Sequence, residues 1–112
     1  MNYEINKLNE LFENVLGLKT MDLTVFLSLK SDKVICSYEL AKTLKRNQST
    51  IQRCLTRLVL SELVYRRSVC LCDGKKGRFF AYIRVDKETL KQIFRDKIQK
   101  KYDEQLALIA SI

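Results

Sequence analysis

Between residues 46 and 57 a set of polar and cationic side chains recurs at helical spacing: Arg46, Gln48, Ser49, Thr50, Gln52, Arg53, Thr56 and Arg57. Arginine can bond the edge of guanine through two parallel hydrogen bonds, and glutamine can do the same with adenine. Ser49 and Thr50 lie near the start of the expected helix, where free amides and the helix dipole favour a phosphate. Interleaved with these groups are Ile51, Cys54, Leu55 and Leu58, with Val59 beside them, three and four residues apart. That stripe must face a core, so the polar set is forced outward. A second cationic group follows at Asp73-Gly74-Lys75-Lys76-Gly77-Arg78, where Lys75, Lys76 and Arg78 crowd a glycine-bearing turn. Cations on such a loop suit a phosphate backbone or the negative potential of a minor groove. A polar helix face is most often merely solvated, and Asp-Gly occurs in any hairpin turn, so the surrounding elements decide what these groups mean.

The charge distribution favours a polyanion. The chain has 112 residues and a formal net charge of +8. Residues 41–85 hold eleven Lys and Arg against two Asp and Glu, whereas residues 1–40 are net acidic and residues 86–112 nearly balanced. A localised excess of this kind points to nucleic acid more strongly than a uniformly basic chain would. At 46% hydrophobic residues, the chain can bury a core without a metal or cofactor, and its length suits one domain spanning 1–112. No apolar run approaches the ~20 residues of a membrane span. The start, Met1-Asn2-Tyr3-Glu4, lacks the basic and apolar regions of a secretory signal, so a cytoplasmic protein is expected. There is no histidine, no phosphate-cradling glycine loop and no convincing pair of catalytic carboxylates; Glu39 and Glu62 read as helix-surface groups. An enzyme is not expected, nor a cofactor.

Ile5, Leu8, Leu11, Phe12, Val15 and Leu16 predict a helix over 3–16, stopped at Gly17. Thr20 is placed to cap a second, largely apolar helix with Met21, Leu23, Val25, Phe26, Leu27 and Leu29. Val34-Ile35-Cys36 predicts a brief strand. Ser37 would cap a helix buried through Leu40, Ala41 and Leu44, and a further helix is expected from about 50 to 62. Loose alternation over 65–72 and 79–85, joined by the basic turn, predicts a β-hairpin. Asp86 would cap a last helix, 87–110, about 36 Å long at ~1.5 Å per residue and too long for so small a body to cover. Leu90, Ile93, Phe94, Ile98, Tyr102, Leu106 and Ile109 share one side of it.

Helix, helix, short strand, helix, turn, helix, strand, loop, strand, helix is the order of a winged helix-turn-helix. With Glu39-Leu40-Ala41, Leu44, Ser49-Thr50-Ile51, Leu55, Leu58, Leu63-Val64 and the Gly74/Gly77 loop, residues 16–85 resemble transcriptional regulators of the MarR and TrmB kind from archaea and bacteria. Small regulators of archaeal viruses look similar. The resemblance implies an α+β, mostly helical fold. It would have a three-stranded antiparallel sheet, made of the short strand plus the wing hairpin, and a long C-terminal helix. It also implies a recognition helix at 50–62 in the major groove of double-stranded DNA, a wing at 73–78, and a homodimer, with flanking segments 1–15 and 87–112 either building the dimer or staying as flexible ends. Three positions depart from the family pattern: Lys45 and Glu62 where glycine is common, and Arg46 where a small apolar residue usually tucks under the turn. The turn geometry is where deviation is expected, with an outward Arg46 adding a phosphate contact. The alternative reading is a winged helix used as a protein-interaction module without DNA binding.

Four cysteines complete the set. The Cys70-x-Cys72 spacing is not the paired C-x-x-C of a zinc knuckle, and no metal site is expected. Cys54 reads as a small core hydrophobe. In a winged helix the strand of Cys36 joins the hairpin sheet, which leaves two states open: all thiols reduced, or Cys36 bonded to Cys70 or Cys72. The second is favoured if the source is hyperthermophilic.

Overall fold

The computed structural model describes residues 2–70 and 78–112. Its elements are α1 (Asn2–Leu16), α2 (Thr20–Ser28), β1 (Ile35–Cys36), α3 (Ser37–Leu44), α4 (Gln48–Leu60), β2 (Val64–Cys70), β3 (Arg78–Arg84) and α5 (Lys87–Ala110). The order is the one expected of a winged helix. The three strands form an antiparallel sheet in the order β1-β3-β2, with Ile35 opposite Tyr82, Cys36 opposite Ala81, and Val64 through Cys70 opposite Arg84 through Arg78.

Helix boundaries follow local chemistry more closely than the hydrophobic pattern suggests. Lys19 and Cys36, rather than Thr20 and Ser37, occupy the capping positions of α2 and α3. Asn47 occupies the capping position of α4, which spans 48–60 and not 50–62. Asp86 caps α5 as expected, its carboxylate accepting from the Thr89 amide at 2.7 Å.

Three helices end on a left-handed residue. Gly17 has φ +68°, and the turn brings the Leu18 amide to the Phe12 carbonyl at 2.9 Å. Lys45 (φ 54°) and Glu62 (φ 67°) adopt the same conformation although neither is glycine. At each, paired bonds close the helix. The amides of Arg46 and Lys45 reach the carbonyls of Ala41 and Lys42, and those of Leu63 and Glu62 reach Leu58 and Val59. The departures from the family pattern at Lys45 and Glu62 thus leave the geometry intact, with the backbone strain of a Cβ in the left-handed region. Arg46 is exposed rather than tucked beneath the turn.

The core gathers Phe12, Val25, Phe26, Leu29, Leu40, Ile51, Leu55, Leu58, Leu63 and Val64, all essentially inaccessible. Phe12 sits at its centre, with ring centroids 5.3 Å from Phe26 and 5.9 Å from Phe94. Only the first part of α5 joins this core. Leu90 and Phe94 are buried, whereas Ile98, Tyr102, Leu106 and Ile109 are exposed on a body 63 Å long.

The sheet order rules out one pairing left open above. β3 lies between β1 and β2, so Cys36 faces Ala81, and across Ala81 stands Arg67, three residues before Cys70. Two strand spacings separate their backbones by about 10 Å, with about 10 Å more along the strand, beyond the ~7 Å reach of a disulfide. Cys36 is a free thiol, as is Cys54. Cys72 lies outside the described residues.

Candidate nucleic-acid interface

α4 buries Ile51, Cys54, Leu55 and Leu58 completely. The remaining face presents Gln48, Ser49, Gln52, Arg53, Thr56 and Arg57 to solvent, with Thr50 half-buried. Lys42, Lys45 and Arg46 are exposed at the end of α3 and in the turn, and Arg66 and Arg67 are exposed on β2, where as strand neighbours they point to opposite faces of the sheet. Lys75 and Lys76 lie outside the described residues, and Arg78 opens β3. The Asn47 side chain makes no capping bond, so the first amides of α4 are not closed off by their own cap.

Several of these groups are held by intramolecular partners. Arg57, expected to face a groove freely, is instead bonded to Asp22 of α2: Nε lies 3.0 and 3.1 Å from the two carboxylate oxygens, and Nη2 lies 2.9 Å from Oδ1. Asp22 is fully buried, and a carboxylate there must be paired. Its Oδ2 also accepts from the Lys19 amide at 3.0 Å. Burial pushes the Asp22 carboxyl up, but the Arg57 and Lys19 bonds outweigh it and hold the group below the usual carboxylate range. Cys54 packs against the same pair, its Sγ 3.5 Å from Arg57 Nη2. Burial first, and then the Asp22 carboxylate, push its thiol up to about 11, so it stays neutral at physiological pH.

Gln52 and Gln48 reach back to α3. Their Nε2 atoms donate to the Ser37 hydroxyl at 2.9 and 3.4 Å, which explains why Ser37 is buried instead of capping from the surface. Thr56 Oγ1 donates to the Gln52 carbonyl at 2.9 Å. Arg53, Ser49 and Arg46 remain on the exposed surface without such a tie among the described residues. On the ribbon, the Arg66 guanidinium lies 4.3 Å from the centroid of the exposed Phe80 ring, and Tyr82 is buried.

Asp22 and Ser37 are the structural partners that residue typing overlooked. Asp22 carries a legible signal, being the one acid in the otherwise apolar or hydroxylated helix TMDLTVFLS. Ser37 carries none, because a serine before a helix ordinarily reads as a cap.

Residues 12–83, well over half of the chain, match the family described as sugar-specific transcriptional regulator TrmB. The chain belongs to the TrmB family. An uncharacterised protein of Methanocaldococcus jannaschii is 27% identical over 86 residues, which are 77% of this chain. The chain spans 64% of that relative's length. Among solved structures, a protein described as a possible transcriptional regulator from Methanosarcina mazei superposes with a TM-score of 0.78 at 27% identity, covering 94% of this chain and 88% of that one. The ST1889 protein of Sulfolobus tokodaii shares the fold, with a TM-score of 0.66 at 24% identity, covering 96% and 99%. The TrmB match takes in α2 through β3 almost entirely, and so includes the whole exposed face of α4. Among the described residues no group of His, Cys, Asp and Glu could hold a metal, and no helix is long and apolar enough to cross a membrane.

Proposed function

We propose that this chain is a sequence-specific, double-stranded DNA-binding regulator of transcription, with α4 entering the major groove and the 73–78 turn lying on the backbone or in the minor groove. The observation that carries the reading is the two-sidedness of α4: Ile51, Cys54, Leu55 and Leu58 are inaccessible, and directly opposite them stand Arg53, Gln48, Ser49, Gln52 and Thr56. Eleven cations against two acids over residues 41–85 supply the phosphate neutralisation such docking needs. Membership of a transcriptional-regulator family supports the same conclusion.

The reading extends to a homodimer formed through α5 and α1, acting inside the cell as one domain of residues 1–112 with a winged-helix core at 16–85. Ile98, Tyr102, Leu106 and Ile109 form an exposed apolar row beyond the core, and α1 packs beside the earlier part of α5. A two-fold axis there would set two α4 helices about 34–36 Å apart, one turn of duplex.

Selection of binding sites from random duplexes, followed by gel shift of the selected site at several salt concentrations, tests the proposal. Enrichment of one motif is the expected result. Retardation of all duplexes alike would leave only a nonspecific binder, and no salt-sensitive retardation would favour an interaction module.

A further inference from the structure

Away from α4, a cavity of about 550 Å³ opens between α1, α2, the end of β3 and the start of α5. Its floor is apolar, formed by Leu8, Leu11, Phe26 and Leu90 among others. Its rim is cationic: among the described residues, Lys7, Arg84, Lys87 and Lys91 line it against one acid, Asp86. Asp86 is already engaged in capping α5, and Lys91 lies 3.6 Å from Glu88. Arg84 is the unusual member. Its Nε is shielded from solvent and has no hydrogen-bond partner among the described residues, while its guanidinium carbon lies 5.5 Å from the Phe26 ring centroid. A shielded cationic donor without an acceptor is costly, and an anion is the group that would satisfy it.

We propose that this cavity binds a small organic anion, a monocarboxylate with an aromatic or aliphatic body. The carboxylate would accept from Arg84, and the body would rest on Leu8, Phe26 and Leu90. The volume lies within the range of small-molecule sites, which are mostly apolar with a few converging polar groups. A sugar fits poorly, because among the described residues Ser31 is the one uncharged polar side chain in the lining and most hydroxyls would find no partner. The ligand would also touch the helix that holds α4, since α2 sends Phe26 and Leu27 to the cavity and Asp22 to Arg57.

Amide chemical-shift titration of the full chain tests this, with phenylacetate and octanoate as probes and phenylacetamide and maltose as neutral counterparts. The titration contains no DNA, so its outcome is independent of the function proposed above. The expected result is saturable shifts around Leu8, Leu27 and Leu90 with at least one carboxylate, with affinity about tenfold lower for phenylacetamide and for Arg84→Gln. Should Arg84→Gln fail to fold by circular dichroism, Leu27→Trp replaces it. Leu27 is 39% exposed, so the larger ring can narrow the cavity without entering the core, and the same tenfold loss is expected. The proposal is overturned by the absence of saturable shifts with both carboxylates, by shifts located elsewhere, by stronger binding of maltose, or by unchanged affinity in the variant used.

Discussion

Arg57 of α4 grips Asp22 of α2 across 35 residues of sequence, with three nitrogen–oxygen distances between 2.9 and 3.1 Å. The pair is lopsided: the Asp22 side chain is 0% exposed and that of Arg57 is 45% exposed. α4 is thus anchored by its own outward-facing arginine as well as by its apolar stripe.

The lopsidedness predicts unequal effects of breaking the pair. Arg57→Ala strands a buried carboxylate with the Lys19 amide and the Cys54 thiol as its remaining partners and should destabilise by about 3–5 kcal/mol. Asp22→Asn leaves an arginine that can turn to water, and should cost about 1–2 kcal/mol. Urea denaturation of both variants checks the ordering; an Asp22→Asn variant less stable than Arg57→Ala would contradict it.

Stability should fall at both ends of the pH scale for identifiable reasons. Asp22 is held below its ordinary value, so its contribution is complete above ~4, the unfolded carboxylate pKa, and is lost as pH falls through the folded value. Cys54 is pushed up to about 11, so its contribution is complete below ~8.5, the unfolded thiol pKa, and is lost as pH rises through the folded value. Urea midpoints measured from pH 2 to 11 should show both limbs. Asp22→Asn should flatten the acid limb and Cys54→Ala the alkaline one.

Lys45 and Glu62 sit left-handed at φ 54° and 67°. Glycine there removes a Cβ penalty of about 1–2 kcal/mol but loosens the unfolded chain by about 0.4–1 kcal/mol. Glu62→Gly should therefore raise stability by roughly 0.5–1 kcal/mol, and Glu62→Val should lower it, as read by thermal melting.

The element order, the hairpin, the Asp86 cap and the α4 core stripe were legible because each rests on local periodicity or on one side chain bonding its nearest amides. The α4 bounds shifted by two residues: of the stretch 47–49 that could hold the cap, Asn47 holds the position, and the helix begins at Gln48. The partners of Arg57, Gln48 and Gln52 were not legible. Typing treats each as an outward group with solvent for company, whereas Asp22 and Ser37 reach them only once α2 and α3 have packed against α4. The Cys36–Cys70 pairing failed for a related reason: it required adjacent strands, and β3 takes the place between them.

The row Ile98, Tyr102, Leu106 and Ile109 predicts self-association. Exposed apolar rows of this length on a helix ordinarily mark an interface. Tyr102→Glu with Leu106→Glu should convert a dimer to a monomer in sedimentation equilibrium while leaving the melting of the core, of which these residues are not members, nearly unchanged. A wild-type mass of 13.2 kDa at micromolar concentration would exclude the dimer directly.

Arg53 and Arg57 should separate in DNA binding, although their spacing made them look equivalent. Arg53 is exposed and untied among the described residues, so its guanidinium can meet a base edge without breaking a native bond. Arg53→Ala should therefore reduce discrimination between the selected site and a mismatched one by about 1–3 kcal/mol with little change in stability. Arg57 would have to leave Asp22 to bond a base with its full fork, exposing a buried carboxylate to an unpaired state. Arg57→Ala should weaken binding to selected and random duplex alike, in step with its loss of stability. Lys75→Ala with Lys76→Ala should also weaken both, but with a shallower salt dependence and an unchanged melting temperature. Competition gel shifts at three salt concentrations, run beside thermal melts, distinguish the three patterns. Loss of discrimination in Arg57→Ala but not in Arg53→Ala would reverse the assignment.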